Sequence, residues 1–406
     1  MRKTTALTLA LLVLLSFLFF VSPVGRYVIR SPFWRNADFP LSAPETELLP
    51  FLLPEGFSAR LYAENVPGAR VLAHGPGAPL YASLTKEGRI VALLDENSDW
   101  EIERVVTVLD GLNNPHGIVF GCKDIEESHC SLYVAEEHRV SEYDFDPDTR
   151  AASNPRELAK LPSRGGHFTR TLLLHPDGER LLVSVGSSCN VCVEEDERRA
   201  AILAIDLATN ETSVFASGLR NTVFMTTHYV TGDIWGTEMG RDHLGDDLPP
   251  DEINILTERN PSTALRARNY GWPLCYGKQV RDSAFRSDTE FNCAQTAAPR
   301  IEIPAHSAPL GIAFIPEEGW PEEWWYDALV AYHGSWNRST PTGYKIVRFP
   351  FDAEGNPEGA PVDFMTGFID EQGGIIGRPV DILLEPGGVM YVSDDKAGKI
   401  YRITRT

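Results

Sequence analysis

Basic residues are scarce in this 406-residue chain. Lysine and arginine together number 37 against 57 aspartates and glutamates, so the net charge is −20 at pH 7. A surface that binds nucleic acid or an anionic membrane needs clustered positive charge, which the sequence lacks. The composition therefore argues against a nucleic-acid partner and is typical of an acidic exported protein. A Cys-x-x-Cys-His motif is also missing, so we expect no appended cytochrome domain with covalently bound haem.

A long apolar run occurs once, close to the N-terminus. It follows Arg2 and Lys3, comprises about 20 apolar or small residues and is long enough to span a bilayer. The run is longer than a usual signal-peptide core and no Ala-x-Ala site follows it, so a cleaved signal and an uncleaved membrane anchor both stay open. We predict an export or anchor segment at 1–30, a linker at 31–48 and a folded domain at 49–406, in the periplasm or outside the cell.

The six cysteines fall into three close-spaced couples. Disulfides are expected in an exported chain. Fifteen pairings are possible in principle, and the clustering favours local ones. A Cys-x-x-Cys couple is also found in zinc and redox sites, but no second such couple accompanies this one, which favours a small loop closed by a disulfide. The couples are Cys122/Cys130, Cys189/Cys192 and Cys275/Cys293.

Helical periodicity is almost absent, and a β-strand theme occurs six times instead. Each copy has short apolar runs separated by turns such as His-Pro-Asp-Gly, in which glycine supplies the positive φ of a tight turn. Antiparallel meanders of this kind bury both faces when they are repeated around an axis, which predicts an all-β, six-bladed propeller. Residues 49–68 are expected to complete the last blade. A β-sandwich with appendages is the alternative, but it does not explain six repeats. The repeats are 69–95, 114–146, 167–218, 220–256, 308–352 and 378–404.

The residues that begin the repeats are unusually polar. The innermost strand of each blade points one end into the central channel, so the residues at the start of each repeat are expected to converge there. Arginines, histidines and an amide gathered there are costly to bury unless an anion lies among them. Salt bridges between blades are the structural alternative, particularly for Asp381 and Arg170. The repeat starts contain His116, His167 with Arg170, Arg220 with Asn221, Ala308 with Pro309, and Arg378 with Asp381.

Several long segments resemble the soluble pyrroloquinoline quinone (PQQ) dependent sugar dehydrogenases, especially their sorbosone and pyranose dehydrogenase branch. The most specific is SGLRNTVFMTTHYVTGDIWGTEMGRDHLGDDLPPDEINIL, followed by NYGWPLCYG. GSSCNVCVEEDERRAAILAID and HGSWNRSTPTGYKIVRFPFD add to it. The resemblance extends from about residue 50 to the C-terminus. It implies oxidation of a sugar or sugar-derived aldehyde by hydride transfer to PQQ, with electrons passed on to a cytochrome or quinone.

The resemblance also implies roles for individual residues. His167 matches the general base that removes the substrate hydroxyl proton, a task suited to a near-neutral imidazole. Arg220 and Asn221 match the pair that hydrogen-bonds the cofactor. Arg378 matches an arginine that faces PQQ from the last blade, and Arg338 is a weaker match for a basic cofactor contact.

The acid-rich segment 232–256 gains an explanation from the same resemblance. In the family, this segment supplies two main-chain carbonyls to a calcium ion that also contacts PQQ, and here these belong to Gly240 and Arg241. Glu252 and the carbonyl of Tyr270 match a second, structural calcium site. The neighbouring acids are expected to form a solvated rim rather than to bind metal; they are Asp242, Asp246 and Asp247.

Some positions depart from the pattern of the glucose-oxidising branch. Arg241 stands where a proline is expected, and the last blade has one arginine, Arg378, rather than two. His116 lies near an early-blade cofactor contact without matching it. Trp336 is expected to be a core residue between blades rather than a platform for a sugar ring. Two other functions stay open: a calcium-dependent lactonase-type hydrolase and a non-catalytic extracellular binding propeller.

Overall fold

The computed structural model describes residues 49–76, 80–122, 130–256, 267–287 and 290–405. Within these ranges the chain forms β-strands and short 3-10 helices but no α-helix. No helix in the described part of the chain is long and apolar enough to cross a membrane. The predicted export segment and linker lie outside the described residues. The 3-10 helices are Thr85–Glu87, Ser283–Phe285, Cys293–Gln295 and Glu322–Trp324.

The strands form six main sheets around an axis, so the predicted six-bladed propeller is confirmed. The first strand, β1 (Phe57–Ala63), belongs to the sixth sheet. The first sheet contains β2 (Ala69–His74), β3 (Leu80–Leu84), β4 (Arg89–Leu94) and β5 (Arg104–Leu109). The second contains β6 (Ile118–Cys122), β7 (Cys130–Glu136), β8 (Arg139–Asp146) and β9 (Ala151–Lys160). The third contains β10 (Leu172–Leu174), β11 (Arg180–Val185), β12 (Ala201–Asp206) and β13 (Thr212–Ser217).

The remaining sheets follow the same antiparallel order. The fourth contains β14 (Thr222–Thr227), β15 (Ile234–Glu238), β16 (Asp251–Leu256) and β20 (Ile301–Ile303). Between β16 and β20 lie β17 (Arg268–Asn269), which pairs in parallel with β13, and the small hairpin of β18 (Cys275–Tyr276) and β19 (Val280–Arg281). The fifth contains β21 (Pro309–Phe314), β22 (Ala328–Tyr332), β23 (Lys345–Phe349) and β24 (Val362–Met365). The sixth contains β25 (Pro379–Glu385), β26 (Val389–Asp394) and β27 (Lys399–Arg405) together with β1.

The middle strands of the blades are the most buried and the outer strands the least. The second strands β3, β7 and β22 are buried at every residue because neighbouring blades cover both faces, and their sequences are accordingly mostly apolar. The outer strands β5 and β9 are largely exposed and carry charged side chains, which discourage pairing with other molecules. The hydrophobic core is therefore a ring of layers between blades.

The inner strands approach one another closely through glycines. The Gly117 amide donates to the Arg170 carbonyl of the next blade at 2.8 Å. A Cβ on Gly311 would lie 2.7 Å from the Val380 carbonyl, so glycine is required for the contact between β21 and β25. These contacts place the starts of the inner strands around one central space.

The chain ends of the folded region meet in the last blade. Strand β1 pairs with β27 from Phe57 to Ala63, as the repeats predict. All described cysteines are paired, and the three disulfides are the local ones that the sequence favours. One of them, Cys122–Cys130, joins β6 to β7 at the hairpin end remote from the central cavity.

Candidate active site

A cavity of about 400 Å³ lies where inner strands from several blades converge. It has the size of a small-molecule site, for which about 300 to 1,000 Å³ is common. Residues of the first, third, fourth, fifth and sixth blades line it. Among them are five of the predicted site residues: His167, Arg220, Asn221, Gly240 and Arg378. The lining also includes Arg70, Asp242, Asp251, His306, His333, Trp336 and Asn337.

His167 precedes β10 and has a defined tautomer. Its Nδ1 lies 2.9 Å from the Ser187 carbonyl oxygen, and a carbonyl only accepts, so Nδ1 carries the hydrogen and Nε2 has the basic lone pair. Burial, and then the charge of Arg220, lower the pKa of His167 to about 4. The imidazole is therefore neutral at pH 7, which is the form that a general base needs.

Arg220 is buried and joins two loops at the cavity wall. Its Nε donates to the Asn190 carbonyl and its Nη2 to Asn190 Oδ1, both at 3.0 Å. Its Nη1 donates to the Gly240 carbonyl, also at 3.0 Å. The Asp242 carboxylate lies 3.3 Å from Nη2. The cavity arginine and the predicted calcium-binding carbonyl of Gly240 are thus adjacent.

Asn221 is fixed through its main chain and leaves an oxygen free. Its amide nitrogen donates to Glu238 Oε1 at 2.8 Å, and Thr222 Oγ1 donates to the other oxygen of Glu238 at 2.5 Å. Burial raises the pKa of Glu238 to about 8. Within the described ranges, Asn221 Oδ1 is buried and has no hydrogen-bond partner. A ligand with a donor group would satisfy this oxygen.

Arg378 and Arg70 are connected through His333 and the partly buried carboxylate of Asp395 on the other side of the cavity. Arg378 Nη1 donates to His333 Nδ1 at 3.2 Å, which leaves His333 Nε2–H to donate to Asp395 at 3.0 Å. Arg70 forms a 2.5 Å ion pair with the second oxygen of Asp395. Burial lowers the pKa of His333, so this imidazole is neutral like His167. Asp395 therefore holds Arg70 directly and Arg378 only through His333.

The acid-rich loop between β15 and β16 is built around Gly240. Asp251 holds it: one carboxylate oxygen accepts from the Gly240 amide at 2.8 Å and the other from the Ala308 amide at 2.9 Å. Asp242 Oδ1 accepts from Asn337 at 2.8 Å, in the loop after β22. Asp242 is therefore part of the cavity wall, in contrast to the solvated rim expected for it.

Arg338 does not line the cavity. Its guanidinium donates to the carbonyls of Asp246 and Ala305 at 2.8 and 3.1 Å and pairs with the exposed carboxylate of Asp247 at 2.8 Å. It thus fastens the acid-rich loop to the fifth blade. Asp247 is exposed at the rim, as expected, with 86% of its side chain accessible.

Glu252, Tyr270 and Arg241 line a second, much smaller cavity of about 30 Å³ beside the first. Glu252 lies opposite Glu238 on the neighbouring strand, and both carboxylates are buried. Glu252 accepts from the Gly277 amide at 2.8 Å, and burial raises its pKa. The Arg241 side chain turns away to Asp282, with which it forms a 3.0 Å ion pair. This grouping has the buried oxygens that a calcium ion prefers.

Three further sequence expectations have different outcomes. His116 is fully buried outside the cavity, where its Nδ1 lies 3.3 Å from Thr171 Oγ1. Arg170 is likewise buried and donates to main-chain carbonyls, including that of His167 at 3.0 Å, so it supports the loop rather than a ligand. The expectation of a core position for Trp336 is wrong. Its ring is 69% exposed on the cavity rim because the loop after β22 turns outward there, and it packs edge-on against His243.

The family model for TrAA12-like proteins matches residues 51–406. The chain belongs to the TrAA12-like family. A curated relative, the PQQ-dependent pyranose dehydrogenase of Coprinopsis cinerea, is 26% identical over 371 residues, which cover 77% of this chain and 49% of that protein. The chain thus spans about half the length of this relative.

Solved structures of two proteins share the TrAA12-like fold. The holo form of the pyranose dehydrogenase PQQ domain from Coprinopsis cinerea has a TM-score of 0.71 at 22% identity and covers 90% of this chain and 98% of that one. The calcium structure of the Trichoderma reesei family AA12 enzyme has a TM-score of 0.72 at 21% identity, with 90% and 100% covered. These likenesses confirm the six-bladed architecture.

The residues of this TrAA12-like chain fit a polycarboxylate quinone. Guanidinium groups match carboxylates, and the cavity holds Arg70, Arg220 and Arg378. Three of its polar atoms are buried without a partner among the described residues: Arg70 Nε, Asn221 Oδ1 and Asn337 Oδ1. Unpaired donors and acceptors of this kind are expected where a polar ligand binds.

Sequence reasoning missed several lining residues. Arg70 stands at the start of the first repeat, as the second residue of β2, so the rule that identified Arg220 and Arg378 would have found it as well. His333 begins the segment HGSWNRS, which the resemblance included without assigning a role to its histidine. Asp251 also lines the cavity, and Asn190 holds Arg220 from outside it. Neither gives a signal in the sequence, because hydrogen bonds between loops leave no pattern there.

Proposed function

We propose that this protein oxidises a sugar, or a sugar-derived aldehyde or alcohol, with PQQ and calcium as cofactors. One observation carries the proposal: the neutral imidazole of His167, with its tautomer fixed by Ser187, lies in one cavity with Arg220, Asn221 and Arg378. The PQQ-dependent relative of Coprinopsis cinerea supports the same chemistry.

Each residue has a role in this proposal. When bound, PQQ accepts the hydride while calcium polarises a quinone carbonyl. The carboxylates of the cofactor would be held by Arg220 and Arg378, and the calcium by the carbonyls of Gly240 and Arg241. His167 Nε2 takes the substrate hydroxyl proton, and the Ser187 carbonyl stabilises the imidazolium that forms, because it accepts a hydrogen bond from Nδ1.

The partners and location belong to the same proposal. Electrons would pass from the reduced cofactor to a cytochrome or a quinone. The protein would be exported to the periplasm or the outside of the cell, with residues 1–30 either removed or kept as an anchor. Glu252 and Tyr270 would hold a second, structural calcium ion.

The two alternative functions have less support. A lactonase-type hydrolase would centre its metal on side-chain oxygens, whereas this cavity gathers Arg70, Arg220 and Arg378. A purely binding propeller has no need of a neutral base whose tautomer is fixed.

Reconstitution tests the proposal. Apoprotein supplied with PQQ and Ca²⁺ is expected to reduce an artificial dye with one or more members of a panel of pyranoses and sugar aldehydes. His167→Ala is expected to abolish turnover while PQQ still binds. The matched control is His74→Ala, which changes an exposed histidine at the far end of β2. A wild-type protein that binds no PQQ would refute the assignment.

A further inference from the structure

The four-residue loop closed by the Cys189–Cys192 disulfide contacts two residues that line the main cavity, Arg220 and Asp242. Asn190, inside this loop, contacts two elements of the wall. Its carbonyl accepts from Arg220 Nε at 3.0 Å, and its Oδ1 accepts from Arg220 Nη2 at 3.0 Å and from the Asp242 amide at 2.8 Å. Its Nδ2 donates to the Asp242 carbonyl at 3.1 Å. One side chain therefore joins the third blade to the acid-rich loop of the fourth.

These contacts require a carboxamide. The Oδ1 atom accepts from two donors while the NH₂ group of the same side chain donates to a carbonyl. An aspartate keeps the accepting oxygen but loses the donor, and an alanine loses both. The disulfide loop is also connected to His167 through Ser187. Ser187 Oγ donates to the Cys189 carbonyl at 2.6 Å, while the Ser187 carbonyl accepts from His167 Nδ1.

We propose that Asn190 is a positioning residue of the cavity and that the Cys189–Cys192 disulfide holds it in place. Asn190 does not line the cavity itself and acts through Arg220 and Asp242, both of which do. The disulfide restricts the backbone on either side of Asn190, so the side chain is already oriented before any ligand binds. Its effect on cofactor binding rests on the proposed function, whereas its effect on the loop does not.

Hydrogen–deuterium exchange of the apoprotein, resolved to single amides by fragmentation, tests the positioning role. In Asn190→Ala, the Asp242 amide is expected to exchange about tenfold faster because it loses its acceptor. The Gly240 amide, which donates to Asp251, is expected to keep its wild-type rate. Asn190→Asp retains the accepting oxygen and is expected to restore most of the protection. Unchanged exchange at Asp242 in Asn190→Ala, or equal acceleration at Gly240, would overturn the proposal.

The disulfide has a matched control in the same chain. The double variant Cys189→Ser/Cys192→Ser is expected to accelerate exchange at Asp242 as Asn190→Ala does. The double variant Cys122→Ser/Cys130→Ser removes a disulfide from the opposite end of a blade and is expected to leave Asp242 unchanged. Equal rates in the two double variants would show that the Cys189–Cys192 bond has no special role, which contradicts the second half of the proposal.

A second readout separates this inference from the proposed function. PQQ binding, followed by quenching of tryptophan fluorescence, is expected to have a Kd about tenfold higher in Asn190→Ala than in wild type, with Asn190→Asp between them. If wild type binds no PQQ while the exchange rates change as described, the proposed function fails and the positioning role stands. If PQQ binds equally well to all three proteins, Asn190 does not position the cofactor site.

Discussion

Replacing Arg220 with glutamine is expected to raise the pKa of His167 in the apoprotein. The structure lowers this pKa from 6.5 to about 4, first through burial and then through the charge of Arg220. That difference corresponds to about 3 kcal/mol between the two protonation states. A like charge at close range accounts for about one pKa unit or more, so the pKa in Arg220→Gln is expected near 5 or above.

The prediction has a direct assay in NMR titration of apoprotein labelled at its histidines. The variant His167→Gln identifies the resonance, and Arg338→Gln removes one positive charge that does not contact His167. A wild-type midpoint at or above pH 6, or identical midpoints in wild type and Arg220→Gln, would refute the reasoning.

The lowered pKa of His167 also makes the stability of the fold depend on pH. The folded pKa of His167 is below the unfolded one, so the neutral side chain contributes its full stabilisation above about pH 6.5. This stabilisation is lost as the pH falls towards 4 because the unfolded chain then binds the extra proton. Across that window, His167→Gln is expected to unfold with a weaker pH dependence than wild type.

Three further variants test other parts of the structure. Gly311→Ala brings a Cβ to 2.7 Å from the Val380 carbonyl and is expected to destabilise the protein by about 1 to 3 kcal/mol, seen as a lower denaturation midpoint; an unchanged midpoint would contradict the close blade contact. Cys122→Ser/Cys130→Ser opens a short loop and is expected to cost about 2 to 3 kcal/mol of stability with kcat unchanged, and a loss of kcat would contradict its remote position. Under the proposed function, Trp336→Ala is expected to raise KM for the sugar substrate about two- to tenfold through the loss of one aromatic contact, with Tm almost unchanged because the ring is 69% exposed; an unaltered KM would exclude a substrate contact.

The architecture was predictable from the sequence because each blade is formed mainly by strands that are close together in the sequence. Turns, apolar runs and their spacing lie within about 50 residues, so six repeats indicate six sheets without knowledge of their contacts. Even the closure by β1 could be predicted, because a repeat that lacks its outer strand has to take one from the opposite end of the domain.

The site was only partly predictable, for a physical reason. His167, Arg220 and Arg378 could be found because they begin repeats and inner strands converge. The residues that hold them could not: Asn190 reaches Arg220 across 30 positions, and Asp395 reaches Arg70 across 325. Such hydrogen bonds depend on loop paths, which leave no periodic pattern. Trp336 illustrates the same limit, because the sequence does not distinguish a tryptophan in a surface loop from one in the core.

The pairing of Phe57–Ala63 with Lys399–Arg405 sets the order in which the molecule can be completed. Strand β1 is the first of the described strands and β27 the last, so this pair cannot form until both have been synthesised. The ring of blades is therefore closed by hydrogen bonds between two strands that lie far apart in the sequence. Proteolysis within either strand would consequently break the same strand pair.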